Sequence, residues 1–427
     1  MSKKVAVIGL GKSGSSAASY LQSLGFTVFV TDDKQTVGPE GCIFLPAERL
    51  AAQLVGIDFV VISPGVPLTH VVAVQAKAFG LEVFCDVELA FRRLSQKPTA
   101  VVGITGSNGK TTTTSLTCHI LNSSGINAKA VGNIGNPILS EVAEPKDALV
   151  AELSSFQLET MSTKVLDAAC ILNITPNHLD RHGTMEEYVK AKRRIGECVK
   201  PDGAFWVQKA ASWSPDLLHF GFDEACELYT DGKSVYRFGV KESELPETLQ
   251  NSRSHNVENY LAAYALARAL GAPCDMPSIA YSSFVKPKHR LEYVCSHNGI
   301  SFYDDSKATS VDAVLRAVES LPCPIVLIAG GVHKGYPYTA WQKAFAGKVR
   351  ACVLIGQAAD IIEQDLERAV PIFRANSLEE AVSKAIEHAK SQDAVLLSPG
   401  CASYDMFTSF EDRGSKFQQI VRALCKT

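Results

Sequence analysis

The segment that most constrains the fold is an apolar strand pattern that runs directly into a glycine-rich loop and a helix pattern. The apolar stretch AVVGI leads into GSNGKTT (residues 106–112), and a helical pattern follows over 112–122. In such a loop, backbone N–H groups surround phosphate oxygens, the lysine neutralises their charge and the next hydroxyl reaches Mg²⁺. Gly103 stands one position before the usual first glycine, where Ile104 lies. The segment therefore predicts a site for ATP or GTP.

The length of the chain predicts how many domains accompany this loop. The chain has 427 residues, whereas single domains cluster near ~100–150 residues. Continuous apolar strands alternate with helical patterns in three blocks, separated by polar segments with proline at 92–99 and 285–290. Such strands are typical of parallel sheets that are covered on both faces. We predict three α/β domains in series: a Rossmann-like domain (1–95), a P-loop-type ATPase domain (96–286) and a Rossmann-like domain (287–427).

Composition excludes several classes of protein. With 42 basic and 45 acidic residues, the chain has no polybasic surface for nucleic acid or anionic lipid. No apolar run approaches the ~18 residues that a membrane span requires, and the apolar start KVAVIG predicts a first strand rather than a signal peptide. The twelve cysteines are scattered without a CxxC pair, which excludes common zinc ribbons. We expect free thiols and a cytoplasmic protein.

A second phosphate-type turn lies in the first block. GLGKSG (residues 9–14) follows a strand and opens a helix, and Asp32 and Asp33 close the next strand. This is the dinucleotide fingerprint, in which glycines admit a pyrophosphate and an acid accepts ribose hydroxyls. It indicates a nucleotide-binding site but does not identify the nucleotide as NAD. The alternative is a tight turn that binds nothing.

Four polar residues of the second block follow strands or open a helix. Glu152 ends the strand ALVAE, so it either holds Mg²⁺ beside the P-loop or caps the next helix. His178 follows the next strand and is either a ligand or a hydrogen-bonded structural residue. Asn256 and Asn259 share one helix face and either contact an adenine or cap that helix.

A lysine interrupts the apolar face of one predicted helix. A capping box at Thr184 and Glu187 predicts a helix from Met185. At 100° per residue, apolar side chains between 188 and 199 share one face, and Lys192 lies within it. Because burying an unpaired ammonium is costly, Lys192 either extends its amine to water, meets an acid or phosphate, or is chemically converted.

The third block offers cations and hydroxyls at three strand ends. DDSKATS (304–310) joins a strand to a helix, and Thr309 and Asp312 have the spacing of a capping box. Lys334 follows a second strand, and Ser-Tyr at 403–404 follows a third. Each segment alone is compatible with a surface turn. Their position at one sheet edge favours an anion site.

These motifs, in this order from Gly9 to Arg413, resemble the Mur ligases, the ATP-dependent amide-forming enzymes of peptidoglycan precursor assembly. GITGSNGKTTTT is common to that family, whereas ELSSFQLE, DSKAT and SPGCASYDMFTSFEDRG are similar to the member that joins D-glutamate to UDP-N-acetylmuramoyl-L-alanine. The resemblance implies this reaction, through an acyl phosphate, in the cytoplasm. It also implies a monomer with small-molecule substrates and neither nucleic acid nor membrane as a partner.

The resemblance assigns the site residues to five groups. For the UDP-linked substrate they are Gly11, Lys12, Ser13, Asp32, Asp33, Lys34, Asn133 and Ser154. For ATP they are Gly106, Ser107, Asn108, Gly109, Lys110, Thr111, Thr112, Asn256, Asn259, Arg290 and Asp305. For D-glutamate they are Thr309, Lys334, Ser403, Tyr404 and Phe410. For two Mg²⁺ ions they are Thr111, Glu152, His178 and a carbamylated Lys192, and the catalytic residues are Lys110, Lys192, His178 and Lys307.

Overall fold

The computed structural model describes residues 3–133, 136–142, 144, 146–366 and 369–425, the side chain of Asp180 excepted. The chain forms two compact units. The first contains Met1–Ile174 and Glu186–Val285, and the second contains Thr175–Met185 and Lys286–Thr427. Two β-sheets lie in the first unit and one in the second, counted over the described residues.

The first sheet is wholly parallel, with the strand order β3-β2-β1-β4-β5. Its strands are β1 (Lys4–Ile8), β2 (Thr27–Thr31), β3 (Ile43–Phe44), β4 (Phe59–Ile62) and β5 (Glu82–Cys85). Its helices are α1 (Lys12–Ser23), α2 (Ala47–Ala51), α3 (Val71–Ala78) and α4 (Asp86–Leu94). Val5 and Val7 pack into one apolar cluster, whereas Ala6 and Ile8 pack into another. The prediction of a sheet covered on both faces is therefore confirmed.

The second sheet has the order β14-β13-β12-β11-β10-β9-β6-β8-β7, and only its β12-β13-β14 edge is antiparallel among the described strands. Its strands are β6 (Ala100–Thr105), β7 (Ala128–Gly132), β8 (Ala148–Glu152), β9 (Leu166–Ile171), β10 (Val199–Gln208), β11 (Leu218–Gly221), β12 (Leu228–Thr230), β13 (Ser234–Arg237) and β14 (Val240–Glu244). The helices of this part of the chain are α5 (Lys110–Ser123), α6 (Ile138–Glu141), α7 (Ser155–Leu158), α8 (Leu179–His182), α9 (Met185–Arg193), α10 (His255–Ala269) and α11 (Met276–Tyr281). Of these, α8 lies in the second unit.

The third sheet has the order β15-β16-β20-β17-β18-β19, with β15 antiparallel to β16 and the other described pairs parallel. Its strands are β15 (Glu292–His297), β16 (Ile300–Asp304), β17 (Ile325–Gly330), β18 (Val349–Ile355), β19 (Ile372–Arg374) and β20 (Ala394–Leu397). Its helices are α12 (Val311–Ser320), α13 (Ala340–Phe345), α14 (Ala359–Leu366), α15 (Leu378–His388) and α16 (Phe410–Leu424). The carboxyl ends of β16, β17 and β20 lie side by side.

Two predicted segment boundaries are wrong. The polar segment 92–99 is not entirely a linker, because Arg92 belongs to α4 and pairs with Glu88 one turn earlier at 3.1 Å. The helix that begins at Met185 ends at Arg193, and the apolar residues after it continue as a buried 3₁₀ turn. Periodicity alone does not distinguish these two helical windings over so few residues.

The expectation that all thiols are free is also wrong. The structure pairs Cys295 on β15 with Cys425 at the end of α16 as a disulfide. The two cysteines are 130 residues apart in sequence, so no local spacing pattern indicated the pair. The other ten cysteines are free thiols. No helix among the described residues is long and apolar enough to cross a membrane.

One buried carboxylate joins a helix beside the first sheet to the segment that precedes β9 of the second sheet. Glu88 of α4 is fully buried and accepts hydrogen bonds from the backbone N–H groups of Ser162 and Thr163 at 3.0 and 3.2 Å. The Thr163 hydroxyl donates to it at 2.7 Å, and Arg92 donates at 3.1 Å. Removing this carboxylate leaves several buried donors without an acceptor, which is more costly than the loss of one hydrogen bond.

We therefore expect Glu88→Ala to lower the free energy of unfolding by about 3 kcal/mol, as when one partner of a buried charged pair is removed. Urea denaturation of wild type and variant measures the change. Glu224→Ala is the matched control, because this exposed glutamate should change stability by less than about 0.5 kcal/mol. Equal losses of stability in the two variants would contradict the role given to the Glu88 carboxylate.

Candidate active site

The glycine-rich loop lies between β6 and α5, as predicted, and a side chain from α10 fixes its shape. Gly109 has φ +84°, and a Cβ atom there would lie 2.3 Å from Oδ1 of Asn259, so only glycine fits. Asn259 is buried and accepts a hydrogen bond from the Thr113 hydroxyl at 3.3 Å. Because Ser254 occupies the N-cap position of α10, the alternative that the asparagines cap this helix is wrong. Asn256 is half-buried in its first turn.

Two residues that were not predicted from the sequence also hold the loop. Asn173, after β9, accepts the Ser107 N–H with its carbonyl at 2.9 Å and the Asn108 N–H with its side chain at 2.8 Å. The phenol of Tyr188 lies 2.9 Å from the Ser107 hydroxyl. The adjacent N-terminus of α5 presents amide N–H groups that no helix carbonyl accepts, which is the usual setting for a phosphate.

Lys110 and Glu152 flank this helix terminus. Nζ of Lys110 donates to the carbonyl oxygens of Gly106 and Ser107 at 2.7 and 2.8 Å. Glu152 is buried at the end of β8 and accepts from the Thr111 hydroxyl at 2.8 Å and from the side chain of Asn133 at 2.9 Å. Carboxylate and hydroxyl oxygens are the ligands that Mg²⁺ prefers in proteins.

Two further sequence-predicted residues have clear structural partners here. Ser154, not Glu152, caps the following helix α7, through a capping box with Gln157. The alternative assignment of Glu152 as a helix cap is therefore wrong. Asn133, which the resemblance assigned to the UDP-linked substrate, contacts Glu152 through both its backbone and its side chain.

Lys192 is buried beneath the same loop. This residue is only 1% exposed. Its Nζ donates to Gly106 O at 2.8 Å and to the Thr105 hydroxyl at 3.3 Å. Burial lowers the pKa of Lys192 well below its usual value, nearby Lys110 lowers it further, and Glu152 acts in the opposite direction. The alternative that this amine reaches water is wrong. A buried lysine with a lowered pKa offers a neutral, nucleophilic amine.

In the first sheet, Asp32 follows β2 and lies beside the glycine turn that follows β1. Burial raises the pKa of Asp32, but the backbone N–H groups of Leu10, Lys34 and Gln35 outweigh burial, and the net pKa is lowered. The shortest of these bonds, from Leu10 N to Asp32, is 2.6 Å. The carboxylate thus fastens the glycine turn to the loop after β2 and remains charged at neutral pH.

The other residues assigned to the UDP-linked substrate surround this turn. Gly11 is the N-cap residue of α1, and Ser13 is half-buried in the first turn of that helix. Exposed side chains at the same edge are those of Lys12, Asp33 and Lys34. The Asp33 carboxylate lies 3.4 Å from Nε2 of His70.

In the third sheet, Asp305 holds the segment that carries Arg290. Its two oxygens accept from Leu291 N at 3.1 Å and from the Ser398 hydroxyl at 2.7 Å. The residues on either side of Arg290, His289 and Leu291, have φ of +61° and +47°. Left-handed backbone is uncommon at residues other than glycine, and here it occurs on both sides of Arg290. Such conformations concentrate at functional sites.

Four of the five residues assigned to D-glutamate lie on the loops after β16, β17 and β20, and the fifth, Phe410, begins α16. Nζ of Lys334 donates to the Thr309 carbonyl at 2.9 Å and lies 3.1 Å from its hydroxyl. Ser310, not Thr309, caps α12, so the capping box predicted at Thr309 is wrong. Nζ of Lys307 lies 3.8 Å from the ring centre of Phe410.

Three more sequence-predicted residues have separate positions. Ser403 is buried, whereas Tyr404 is 75% exposed. His178 precedes α8 with φ +55° and belongs to the second unit, whereas Lys192 belongs to the first.

Sequence reasoning missed Asn173, Tyr188 and Tyr336. For Tyr188 a signal existed, because a buried phenol on an apolar helix face usually has a hydrogen-bond partner.

Family models match most of the chain. The model described as "Mur ligase MurD-like, N-terminal domain" matches residues 3–85, "Mur ligase middle domain" matches 104–267, and "Mur ligase, glutamate ligase domain" matches 289–401.

Full-length relatives agree with these matches. The chain is 43% identical to the UDP-N-acetylmuramoylalanine--D-glutamate ligase of Protochlamydia amoebophila, over 99% of this chain and 98% of that protein. It is 40% identical to the ligase of the same name from Caldanaerobacter subterraneus, over 99% and 98%.

Solved structures of related ligases show the same fold. The UDP-N-acetylmuramate-alanine ligase MurC of Thermotoga maritima superposes with a TM-score of 0.63 at 18% identity, over 98% of this chain and 99% of that chain. MurF ligase from the same organism, solved with ADP, gives 0.61 at 17% identity, over 100% and 95%.

The pKa of Asp305 generates a testable dependence of stability on pH. Burial raises this pKa from 3.8 to about 7, although hydrogen bonds from Ser398 and Leu291 and the charge of Arg290 act to lower it. Between these two values the native chain binds more protons than the unfolded chain. The free energy of unfolding should therefore fall as pH rises from about 4 to about 7, by at most about 1.4 kcal/mol per pH unit from this group.

We expect Asp305→Asn to remove that contribution, which urea denaturation at pH 5 and pH 7 measures as a smaller loss of stability than in wild type. Asp202→Asn, at an exposed position of β10, should retain the wild-type difference between the two pH values. If the loss of stability between pH 5 and pH 7 is as large in Asp305→Asn as in wild type, the buried carboxyl does not titrate in this range.

Proposed function

Because this chain belongs to the Mur ligase family, we propose that it joins D-glutamate to UDP-N-acetylmuramoyl-L-alanine with consumption of ATP, in the synthesis of peptidoglycan precursors. The observation that carries this proposal is identity of 38–43% over nearly the whole chain to ligases of that name. The products are the amide, ADP and phosphate. The matched segments support proposed domains 1–95, 96–286 and 287–427, for the UDP-linked substrate, ATP and the amino acid.

The loop between β6 and α5 is the proposed site of the ATP phosphates. Amide N–H groups at the N-terminus of α5 bind phosphate oxygens, and the helix dipole adds to this attraction. Nζ of Lys110, which donates to two loop carbonyls, lies at the same terminus and neutralises phosphate charge. Asn256, Asn259, Arg290 and Asp305 are the remaining proposed contacts for ATP.

The reaction proceeds through an acyl phosphate. A carboxylate oxygen of the L-alanyl group attacks the γ-phosphorus, the bond to the bridging β,γ oxygen breaks, and ADP leaves. The amine of D-glutamate then attacks the acyl carbon, the carbon–oxygen bond to phosphate breaks, and the nitrogen loses a proton. In phosphoryl transfer the protein contributes mainly positioning and electrostatic stabilisation, and both tasks fall to Lys110 and the loop amides.

The residues around α5 fit Mg²⁺. Thr111 and Glu152 offer hard oxygen ligands within hydrogen-bonding distance of each other, and His178 is proposed for a second ion. When bound, the metal would neutralise charge on the phosphate oxygens. Lys192 fits the proposed carbamate, because burial and Lys110 lower its pKa against the opposing charge of Glu152 and so favour the neutral amine, the form that combines with CO₂.

The other two ligand sites are proposed at the edges of the first and third sheets. Backbone amides of the turn at 9–14 and the cations Lys12 and Lys34 suit the phosphates of the UDP-linked substrate. Lys307 and Lys334 supply the positive charge that the two carboxylates of D-glutamate require, beside the hydroxyls of Thr309 and Ser403. Such small-molecule chemistry is consistent with a monomer in the cytoplasm, where ATP is available.

The direct test is incubation of the purified chain with UDP-N-acetylmuramoyl-L-alanine, ATP, Mg²⁺ and each of several amino acids, with phosphate release and product mass as readouts. We expect phosphate release and amide formation with D-glutamate alone. Coupling of L-alanine or a diamino acid instead would contradict the proposed specificity.

We expect Lys110→Ala to lower kcat by at least about 100-fold, as the loss of one preorganised charge stabiliser does, with an unchanged unfolding midpoint. Lys190→Ala is the matched control, since that lysine is exposed on α9 and its loss should leave turnover unaltered. Near-normal turnover of Lys110→Ala would exclude the phosphate role of this lysine.

Lys192→Met separates the carbamate from an ordinary buried lysine. It retains the apolar stem and removes the amine, so a structural lysine predicts nearly full activity. The carbamate predicts a loss of at least about 100-fold in kcat, with stability equal to or above wild type because a buried amine is gone. With ¹³C-bicarbonate, wild type and Lys190→Met should show a carbamate carbon by NMR that Lys192→Met lacks. The same signal in all three proteins would place the carbamate elsewhere.

A further inference from the structure

The proposed amino-acid site is built from three separate loops. Thr309 lies after β16, Lys334 after β17, and Ser403 after β20. Backbone hydrogen bonds already connect parts of these loops: Gly400 N donates to Ala308 O at 2.8 Å, and Val332 N donates to Ala402 O at 2.8 Å. A side chain that also joins all three loops would fix the spacing of the groups that bind the amino acid.

Tyr336 makes such a connection. It lies two residues after Lys334, and its hydroxyl donates to the carbonyl of Thr309 at 2.9 Å and to that of Gly400 at 2.8 Å. One phenol proton is therefore shared between the loop after β16 and the loop after β20. Nζ of Lys334 donates to the same Thr309 carbonyl at 2.9 Å, so the tyrosine and the lysine approach one acceptor.

The surroundings of Tyr336 hold its ring in one orientation. Tyr336 is 2% exposed, and the adjacent Tyr338 is fully buried. The rings of His333 and Tyr338 lie edge-on to it, with centres 5.9 and 5.7 Å away. Edge-to-face packing at these distances is favourable and directional, so the hydroxyl has little freedom to turn to other acceptors.

We propose that Tyr336 is a positioning residue for D-glutamate, which sets the distances among Thr309, Lys334 and Ser403 without contacting the amino acid. This inference rests on the proposed function and deepens it. Recognition of both carboxylates of a dicarboxylate in one conformation depends on the relative placement of cations and hydroxyls carried by different loops. Loss of the phenol hydroxyl releases two carbonyls but removes none of the proposed binding groups.

The test is steady-state kinetics of Tyr336→Phe, which retains the ring and removes the hydroxyl. We expect KM for D-glutamate to rise about tenfold, equivalent to about 1.4 kcal/mol, while kcat and the KM values for ATP and the UDP-linked substrate change less than about twofold. Tyr293→Phe is the matched control. Its hydroxyl also makes a hydrogen bond, to Ser296 at 2.9 Å, but in the exposed β15–β16 hairpin.

The outcomes separate this inference from the function on which it rests. An unchanged KM for D-glutamate in an active Tyr336→Phe would overturn the positioning role alone. So would an equal rise in all three KM values together with a lower unfolding midpoint, since that pattern reports general destabilisation. A wild-type chain that couples no D-glutamate would overturn the proposed function and the positioning role with it.

Discussion

The packing of side chains against the loop between β6 and α5 is the interaction on which the rest of the first unit's site depends. Gly109 adopts a left-handed conformation directly against the amide of Asn259, and Asn173 accepts the N–H groups of Ser107 and Asn108. These contacts come from α10 and from the end of β9. Protein side chains therefore fix the shape of the loop, and preorganised dipoles need no rearrangement during reaction.

The buried position of Lys192 follows from the same loop. The carbonyl of Gly106 accepts from both Lys110 and Lys192, at 2.7 and 2.8 Å. Burial lowers the pKa of Lys192, repulsion from Lys110 on the same carbonyl lowers it further, and Glu152 acts in the opposite direction. The lowered pKa favours the neutral amine at Lys192, whereas Lys110 lies at the helix terminus where phosphate is proposed to bind. Burial is the largest cause of this shift.

Local patterns predicted the parts of the fold that local interactions determine. The core strands β1, β6, β8 and β20 were predicted because each is a continuous apolar run, and the glycine loop was predicted because its backbone requires glycine. The helix cap at Thr309 was misassigned because the adjacent Ser310 also has a suitable hydroxyl, and it is Ser310 that accepts from Ala313 N. The contacts made by Asn173 and Tyr336 join segments far apart in sequence, which no periodicity reports.

The most direct test of the central claim follows one oxygen atom from substrate to product. UDP-N-acetylmuramoyl-L-alanine labelled with ¹⁸O in its alanyl carboxylate is coupled to D-glutamate by the wild-type chain, and the released phosphate is analysed by mass spectrometry. If the carboxylate attacks the γ-phosphorus at the loop held by Asn259 and Asn173, one ¹⁸O atom appears in each phosphate released. Phosphate without the label, formed at the same rate as the amide, would contradict the acyl-phosphate route.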